Sequence, residues 1–226
     1  MEVWLLSSKI VYHAVHNKGR GKIALGRPRS FKIEEALESA LRVFWEKGYE
    51  GASLPELTEA MGINRPSLYA AFGNKKGLFL KVLDHYRETS ASYLVEALMR
   101  PTAREVFEAL LKGAIDLQAG GRNPVGCLFV HGALVCTEDS TSVKRELALR
   151  RIAGEIAIRE RFEKAVEDGD LPKSEDPANL AKFAATLLHG LAVQAVNGDS
   201  VPDLDRVAEL ALRSFPKVQK PKNSPT

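Results

Sequence analysis

The chain has 226 residues, which is room for one large or two small domains, and 45% of them are hydrophobic, as in an ordinary globular protein. Its formal net charge of +3 is too small to indicate a nucleic-acid partner by itself. Two cysteines exclude a disulfide framework, and the sequence has neither a signal-peptide core nor an apolar run near the roughly 20 residues of a membrane span, which predicts a cytoplasmic protein.

The N-terminal part of the chain is predicted to be irregular and basic. Residues 1–25 fit neither a helix period nor a strand and are expected to form a disordered extension. A run without any acidic residue contains Lys18, Arg20, Lys22, Arg27, Arg29 and Lys32. Because this run leads into a predicted helical domain, it favours an arm that reaches DNA phosphates or the minor groove, and a solvated basic tail is the alternative.

The first predicted helix covers residues 31–48. Apolar residues recur in it at helical spacing, at Ile33, Ala36, Leu37, Ala40, Leu41 and Phe44. This stripe is expected to bury the back of the two short helices that follow. Lys32 is a poor N-cap because its side chain offers no hydrogen-bond acceptor, so the start of the helix is expected to fray.

Two short helices and a tight turn are predicted in SLPELTEAMGINRPSLYAAF, which begins at Ser53. Ser53 and Glu56 can form a capping box, and Gly62 supplies the left-handed residue that ends the first helix. Asn64 can cap the second helix, with Pro66 in its first turn. Such a pair is a helix-turn-helix, whose second helix can enter the major groove of DNA, and a helical hairpin within a bundle is the alternative.

The second of these helices has one apolar and one largely polar face. The apolar face carries Leu68, Ala71 and Phe72, and the opposite face carries Arg65, Ser67, Tyr69 and Ala70. Lys75 and Lys76 follow in the first turn of the next helix, where the helix dipole disfavours positive charge but a nearby phosphate would attract it. DNA contacts are expected from Arg27, Arg29, Ser53, Asn64, Arg65, Pro66, Ser67, Tyr69, Ala70 and Lys75.

The segment NRPSLYAAFGNKKGLF resembles the recognition-helix signature of TetR-type transcriptional regulators, the TetR/AcrR family, and the resemblance covers residues 26–87. Further along, GCLFVHGAL from Gly126 and LLHGLAVQAVNG from Leu187 resemble the ligand-binding half of one branch. That branch often has Asp where Lys32 stands and Glu where Lys76 stands, so these two lysines depart from its pattern.

The resemblance implies an all-α protein with an N-terminal three-helix DNA-binding domain that contains the helix-turn-helix, over residues 26–73. A helical ligand-binding and dimerisation domain would follow over residues 74–216, and a disordered tail over residues 217–226. It also implies a repressor that binds a palindromic operator in double-stranded DNA as a homodimer and is released by a small-molecule inducer. No cofactor is expected.

Two other classes of function remain as alternatives. One is a thiol- or metal-responsive regulator, or an activator, on the same fold. The other is a helical ligand-binding protein or enzyme without DNA specificity, which is disfavoured because the sequence contains no catalytic motif.

Helical patterns continue to the end of the chain and bring the total to about nine helices. They cover residues 74–99, 102–119, 126–136, 142–168, 176–198 and 200–215. The segment 126–136 is almost wholly apolar and could also be a strand. The resemblance places an inducer cavity among these helices, although plain core packing is the alternative. The candidate lining residues are Tyr86, Tyr93, Phe107, Phe129, His131 and Phe162.

Cys127 is interpreted as a structural cysteine. It lies four residues before His131, so the two could form half of a metal site on one helical face, but a soft-metal site normally has more ligands. Nine residues of continuous helix would separate it from Cys136 by about 13 Å along the axis, which excludes an intrachain disulfide. A nearby imidazolium would activate the thiol, whereas the apolar neighbours suggest burial and a raised pKa.

The apolar stripe of residues 180–195 is broader than one intrachain partner requires. Together with the last helix it predicts a homodimer through a four-helix interface. The candidate interface residues are Leu180, Ala184, Leu187, Leu188, Leu191, Ala195, Leu204, Val207 and Ala211.

Overall fold

A computed structural model describes residues 32–119, 121, 124–134 and 140–216, and all regular structure within these ranges is helical. The helices are α1 Ile33–Gly51, α2 Leu54–Ala60, α3 Arg65–Phe72, α4 Lys75–Glu88, α5 Tyr93–Leu98, α6 Ala103–Ala119, α7 Leu128–Leu134, α8 Thr141–Glu167, α9 Pro177–Val196 and α10 Val201–Ser214. The predicted all-α fold is confirmed. None of these helices combines the length and the apolar character that crossing a membrane requires. Arg27, Arg29, Cys136, the predicted extension 1–25 and the predicted tail 217–226 lie outside the described residues.

Side-chain caps fix the starts of the two short helices, as the sequence predicted. In the capping box of α2, Ser53 Oγ accepts the Glu56 N–H, and the Glu56 carboxylate accepts the Ser53 N–H at 3.0 Å. At the start of α3, Asn64 Oδ1 accepts the Ser67 N–H at 2.9 Å. Gly62, in the turn between the helices, has a φ of 63°, which a glycine adopts without steric cost. Local hydrogen bonds therefore define the helix-turn-helix.

The first helix is kinked at Gly48, where the sequence predicted that it ends. It starts after Lys32, which makes no capping hydrogen bond, and after the kink a short helical segment continues to Gly51. Gly48 interrupts the helical conformation with a φ of 69°. The kink is followed by Tyr49, whose ring centroid lies 5.1 Å from that of Phe79 in α4.

The single helix predicted over residues 74–99 is two helices, α4 and α5. The Thr89 hydroxyl donates to the His85 carbonyl at 2.7 Å, and Thr89 leaves the helical conformation with φ −112° and ψ −90°. The N–H of the buried Ala91 reaches back to the Tyr86 carbonyl at 2.9 Å. The chain therefore leaves the helix at Thr89 and resumes it at Tyr93, and the described residues contain ten helices instead of about nine.

The buried side chains form two cores. The N-terminal core is built from α1–α4 together with parts of α7 and α8, and its members include Phe44, Trp45, Phe79, Tyr86, Leu128, Phe129, Val143 and Leu147. The C-terminal core is built from α6, α8, α9 and α10, and its members include Phe107, Ile158, Phe162, Leu191, Leu204 and Phe215. The N-terminal core thus extends beyond residue 73, where the sequence placed a domain boundary, and that boundary stays a prediction.

A buried ion pair joins α8 to α4. The side chain of Arg150 in α8 is 4% exposed, and its Nη2 donates to Asp84 Oδ1 of α4 at 2.9 Å. Its Nε donates to Glu146 Oε1 one turn earlier in α8 at 3.0 Å. Two carboxylates therefore compensate one buried guanidinium, at the place where the two halves of the chain meet.

Candidate nucleic-acid interface

The third helix buries one face and presents the other, as predicted. Leu68 is fully buried in the N-terminal core, whereas Tyr69 beside it is 44% exposed. Arg65 and Ala70 are exposed and Ser67 is half-buried on the same outer side. An aromatic ring, a guanidinium and a hydroxyl on one outward helix face are the groups that contact base edges and phosphates in a groove.

The predicted contact residues in the caps already have structural partners. The Ser53 hydroxyl donates to the Glu56 carboxylate at 2.7 Å, and Asn64 uses its carbonyl oxygen in the cap of α3. Both residues are exposed, as is Pro66 in the first turn of α3. Their contact with DNA stays a prediction, and in the structure Ser53 caps α2 while Asn64 caps α3.

Lys75 begins α4 immediately after the turn that follows α3. Its Nζ lies 4.6 Å from the centroid of the Tyr49 ring and 3.5 Å from the carbonyl oxygen of Glu50. Burial lowers the pKa of Lys75, and the negative charge of Glu50 partly opposes this shift. Tyr49 was not predicted as part of this site, because its contact with Lys75 joins residues 26 positions apart. The local sequence offers one signal, an aromatic residue directly after a glycine near a helix end.

Two other lysines near this surface are paired with carboxylates. Lys47 of α1 pairs with Glu56 of α2, and this pairing and Ser53 hold the pKa of Glu56 at about 2. Lys32 pairs with Glu35 at 2.7 Å. Their positive charges are thus partly compensated within the protein.

The six residues proposed to line one ligand cavity are divided between the two cores. Tyr86 and Phe129 meet edge to face in the N-terminal core, with ring centroids 4.9 Å apart. Phe107 and Phe162 both pack against Phe215 in the C-terminal core. Helical spacing does not determine which neighbouring helix a buried ring faces, so the sequence could not show this division, and a cavity lined by these residues stays a prediction.

The remaining two members are Tyr93, which packs against the C-terminal core, and His131. Burial raises the pKa of Tyr93, and the nearby Cys127 adds to the shift. His131 lies in α7 and is partly exposed. Their role in ligand binding stays a prediction.

Cys127 precedes α7 and is not part of it. Its carbonyl accepts the N–H groups of Val130 at 3.0 Å and His131 at 2.8 Å, which is the position of an N-cap residue. The assumption that Cys127 lies within a continuous helix was therefore wrong, and its distance to Cys136 lies outside the described residues. Burial raises the pKa of the Cys127 thiol, as the apolar neighbours predicted. The described residues contain no group of three or more potential metal ligands.

Most of the residues predicted to form a dimer interface face the protein's own core. Leu188, Leu191, Ala184, Ala195, Leu204 and Ala211 are buried within the chain. Leu180 and Leu187 are partly buried against the C-terminal core, and only Val207 is well exposed. The broad apolar stripe of α9 packs against α6 and α8. The face that the sequence assigned to the partner subunit is therefore the inner face of the chain's own helix.

The outer surface of α9 and α10 carries a different apolar set. Val193 and Val196 of α9 are 36% and 44% exposed, and Val207 and Leu210 of α10 are 45% and 63% exposed. Gly190 has no neighbouring atom within 4 Å of the place where a Cβ would stand. Two adjacent helices thus present uncovered apolar side chains and one open backbone position.

Comparison with known proteins agrees with this architecture. Residues 36–82 match the family described as bacterial regulatory proteins, tetR family. The chain is 30% identical over 205 residues to the HTH-type transcriptional repressor ComR of Escherichia coli (strain K12), covering 88% of this chain and 96% of ComR. It is 32% identical over 189 residues to the HTH-type transcriptional repressor BdcR of the same organism, covering 82% and 90%.

A solved structure is more similar in sequence. A cysteine variant of the TetR family transcriptional regulator CifR, complexed with 26-bp double-strand operator DNA, superposes with a TM-score of 0.80 at 44% identity and covers 84% of this chain and all of that one. The shared helix-turn-helix and the near-complete coverage of these relatives confirm the resemblance predicted from the sequence. The chain belongs to the TetR family of bacterial regulatory proteins.

Proposed function

We propose that this protein is a transcriptional repressor that binds a palindromic operator as a homodimer and is released by a small-molecule effector. The outward face of α3 carries this proposal, because Arg65, Ser67 and Tyr69 project from a helix whose opposite side is anchored by the fully buried Leu68. A rigid helix with such a face fits the major groove, which admits one α-helix. A cytoplasmic location follows from DNA as the partner.

The named relatives support repression as the direction of regulation. ComR and BdcR are named transcriptional repressors, and the CifR variant was solved on operator DNA. These relatives are regulators and not enzymes, which supports a regulatory protein without catalytic activity.

The exposed apolar surface of α9 and α10 supports a homodimer. Its members are Val193, Val196, Val207 and Leu210. A palindromic operator requires two α3 helices related by a two-fold axis, and a self-complementary patch on two neighbouring helices supplies that symmetry. We therefore assign the partner subunit to the outer face of these helices instead of the inner stripe.

The effector is proposed to act where α4, α5 and α7 meet. The Tyr86 hydroxyl is fully buried next to the Cys127 thiol, which is a weak hydrogen-bond partner, and burial above all, with this thiol, raises the pKa of Tyr86. A ligand with a polar group could satisfy this hydroxyl. Tyr86 belongs to α4, the helix that begins with Lys75, so a ligand that binds better to one position of α4 would shift the protein between DNA-bound and free states.

The proposal is tested by selecting bound duplexes from random DNA with the purified protein. We expect a palindromic consensus and a salt-dependent affinity for it. Tyr69→Ala and Ser67→Ala should relax sequence preference by about 1–3 kcal/mol per lost base contact. The exposed Glu163→Ala on α8 is the matched control and should leave the selected sequences unchanged. Recovery of no consensus, with equal binding to all duplexes, would contradict sequence-specific repression.

A further inference from the structure

We propose that Tyr49 is a positioning residue for DNA binding, which holds the Lys75 ammonium in place for a phosphate through a cation–π contact. This inference rests on the proposed function, since it concerns how the same DNA-facing surface obtains one of its phosphate contacts. Tyr49 is argued to act through Lys75 and not by touching DNA itself.

The first observation is the geometry around the ammonium. Lys75 Nζ stands 4.6 Å from the centroid of the Tyr49 ring, within the roughly 6 Å over which a ring face attracts a cation. It also lies 3.5 Å from the carbonyl oxygen of Glu50, a long hydrogen bond. The Tyr49 ring and the Glu50 carbonyl, both at the end of α1, thus hold the ammonium of Lys75, the first residue of α4.

The second observation is that the ring itself is fixed. Tyr49 stacks on Phe44 with an interplanar angle of 8° and packs against Phe79 at 5.1 Å. Gly48 kinks the backbone of α1 immediately before Tyr49. The Tyr49 ring that contacts Lys75 is therefore held in place by the N-terminal core and not by the lysine.

The third observation is the kind of partner that Lys75 has. An aromatic face and a backbone carbonyl carry no formal charge, so these two contacts orient the ammonium without cancelling it, although the Glu50 carboxylate adds an electrostatic attraction. Lys47 and Lys32 differ, because each is paired with a carboxylate. A lysine that is held but not neutralised keeps its charge for a phosphate and loses less rotamer freedom when the phosphate arrives.

The position of Lys75 places this charge next to the DNA-facing helix. Only Gly73 and Asn74 separate α3 from α4, and the Asn74 side chain caps α4 by accepting the Gly77 N–H at 2.8 Å. The ammonium therefore stands at a fixed place near the C-terminal end of α3. Preorganisation of this kind raises affinity for any sequence, because a phosphate contact carries no base information.

The test replaces Tyr49 by a graded series of rings. Tyr49→Phe keeps the cation–π contact and should change the dissociation constant for the selected duplex less than twofold. Replacing Tyr49 by phenylalanines with one and then three ring fluorines keeps the shape but weakens the negative face, and affinity should fall stepwise. Tyr49→Leu should weaken the dimer's binding by about tenfold, to the selected duplex and to a scrambled duplex alike.

The controls separate positioning from folding. In a Lys75→Ala background the whole Tyr49 series should have no effect on DNA affinity beyond twofold, and Lys75→Ala alone should reduce the salt slope by about one per protomer. The same fluorinated residues at Phe79, which touches Tyr49, should leave DNA affinity unchanged. Thermal unfolding of every variant shows that the fluorinated series remains folded even if Tyr49→Leu does not.

The outcomes are distinct. A wild-type protein without salt-dependent DNA binding would overturn the proposed function and this inference together. Wild-type binding that is insensitive to the fluorinated series at Tyr49, or a series that acts equally in the Lys75→Ala background, would overturn the inference alone.

Discussion

The two cores differ in how completely their buried polar groups are satisfied. In the C-terminal core region, Arg161 donates to the carbonyls of Arg100 and Pro101, each at 2.9 Å, and Arg104 donates to that of Leu212 at 2.9 Å. In the N-terminal core, Trp45 Nε1 is buried without a hydrogen-bond partner among the described residues, and the buried Tyr86 Oη has at most the weak thiol partner Cys127. Each such atom costs roughly 1–3 kcal/mol. The buried polar groups named in the C-terminal core region thus have hydrogen-bond partners, whereas those named in the N-terminal core are incompletely satisfied.

The largest expected effect comes from a charge placed inside the C-terminal core, and it is compared with the same charge on the outer surface of α10. Leu191→Glu places a carboxylate at a site that is 3% exposed and should reduce the free energy of unfolding by about 5 kcal/mol or more. Leu210→Glu, at a site that is 63% exposed, should leave each protomer folded but convert the dimer to monomers with weak operator affinity. Urea unfolding and sedimentation measure the two effects.

A matched control uses another exposed apolar residue. Val95→Glu on α5, at a site that is 50% exposed, should alter neither folding nor assembly. A Leu210→Glu variant that remains dimeric at micromolar concentration would contradict the assignment of the outer face of α9 and α10 to the partner.

The second prediction concerns the buried ion pair that joins α8 to α4 beside the N-terminal core. Arg150→Met leaves the carboxylates of Asp84 and Glu146 without their buried guanidinium and should lower the free energy of unfolding by about 3–5 kcal/mol. Arg161→Met, whose partners are neutral carbonyls, should cost less, about 1–3 kcal/mol. Urea unfolding at pH 7 decides the order, and equal losses would show that the two cores do not differ in this respect.

The third prediction concerns the buried hydroxyl of Tyr86. Because Tyr86 Oη has at most the weak thiol of Cys127 as a partner, Tyr86→Phe should be neutral or should stabilise the protein by up to about 1 kcal/mol. Phe129→Leu tests the ring contact instead of the hydroxyl and should destabilise by about 1 kcal/mol. Thermal unfolding of both variants gives the comparison. A loss of more than 1 kcal/mol in Tyr86→Phe would mean that the hydroxyl is satisfied in solution.

The last expected effect, which is negligible at neutral pH, is a loss of stability in alkali. Burial raises the folded-state pKa of Cys127 from its ordinary 9.0 and that of Tyr86 from its ordinary 10.0, so the unfolded chain loses these protons first. The stabilising contribution is therefore complete below pH 9 and decreases as the pH rises above it, by up to about 1.4 kcal/mol per pH unit for each group. The double variant Cys127→Ala, Tyr86→Phe should show a flatter dependence in urea unfolding between pH 8 and 10.5.

Local chemistry made the helix-turn-helix predictable. The caps at Ser53 and Asn64 use partners three residues away, so the sequence contains all the information that they need. The turn at Gly62 is equally local. By contrast, no glycine or proline marks the end of α4 at Thr89, so this break could not be predicted from the local sequence.

Long-range partners limited the rest of the prediction. Helical spacing revealed the apolar stripe of α9 but could not say that α6 and α8 cover it, so Leu191 was assigned to a partner subunit. The division of Phe107 and Phe129 between two cores has the same origin. The contact of Lys75 with Tyr49 depends on how α1 meets α4, which no local pattern encodes.

Glu56 decides whether the DNA-facing helices could be moved to another protein. Its carboxylate closes the capping box of α2 and also pairs with Lys47 of α1, and that pairing is the main reason for its pKa of about 2. A transplant that began at Ser53 would leave Lys47 behind, and the carboxylate would then protonate closer to the range of an ordinary glutamate. A graft that is meant to keep this carboxylate ionised below about pH 4 therefore has to include the last turns of α1.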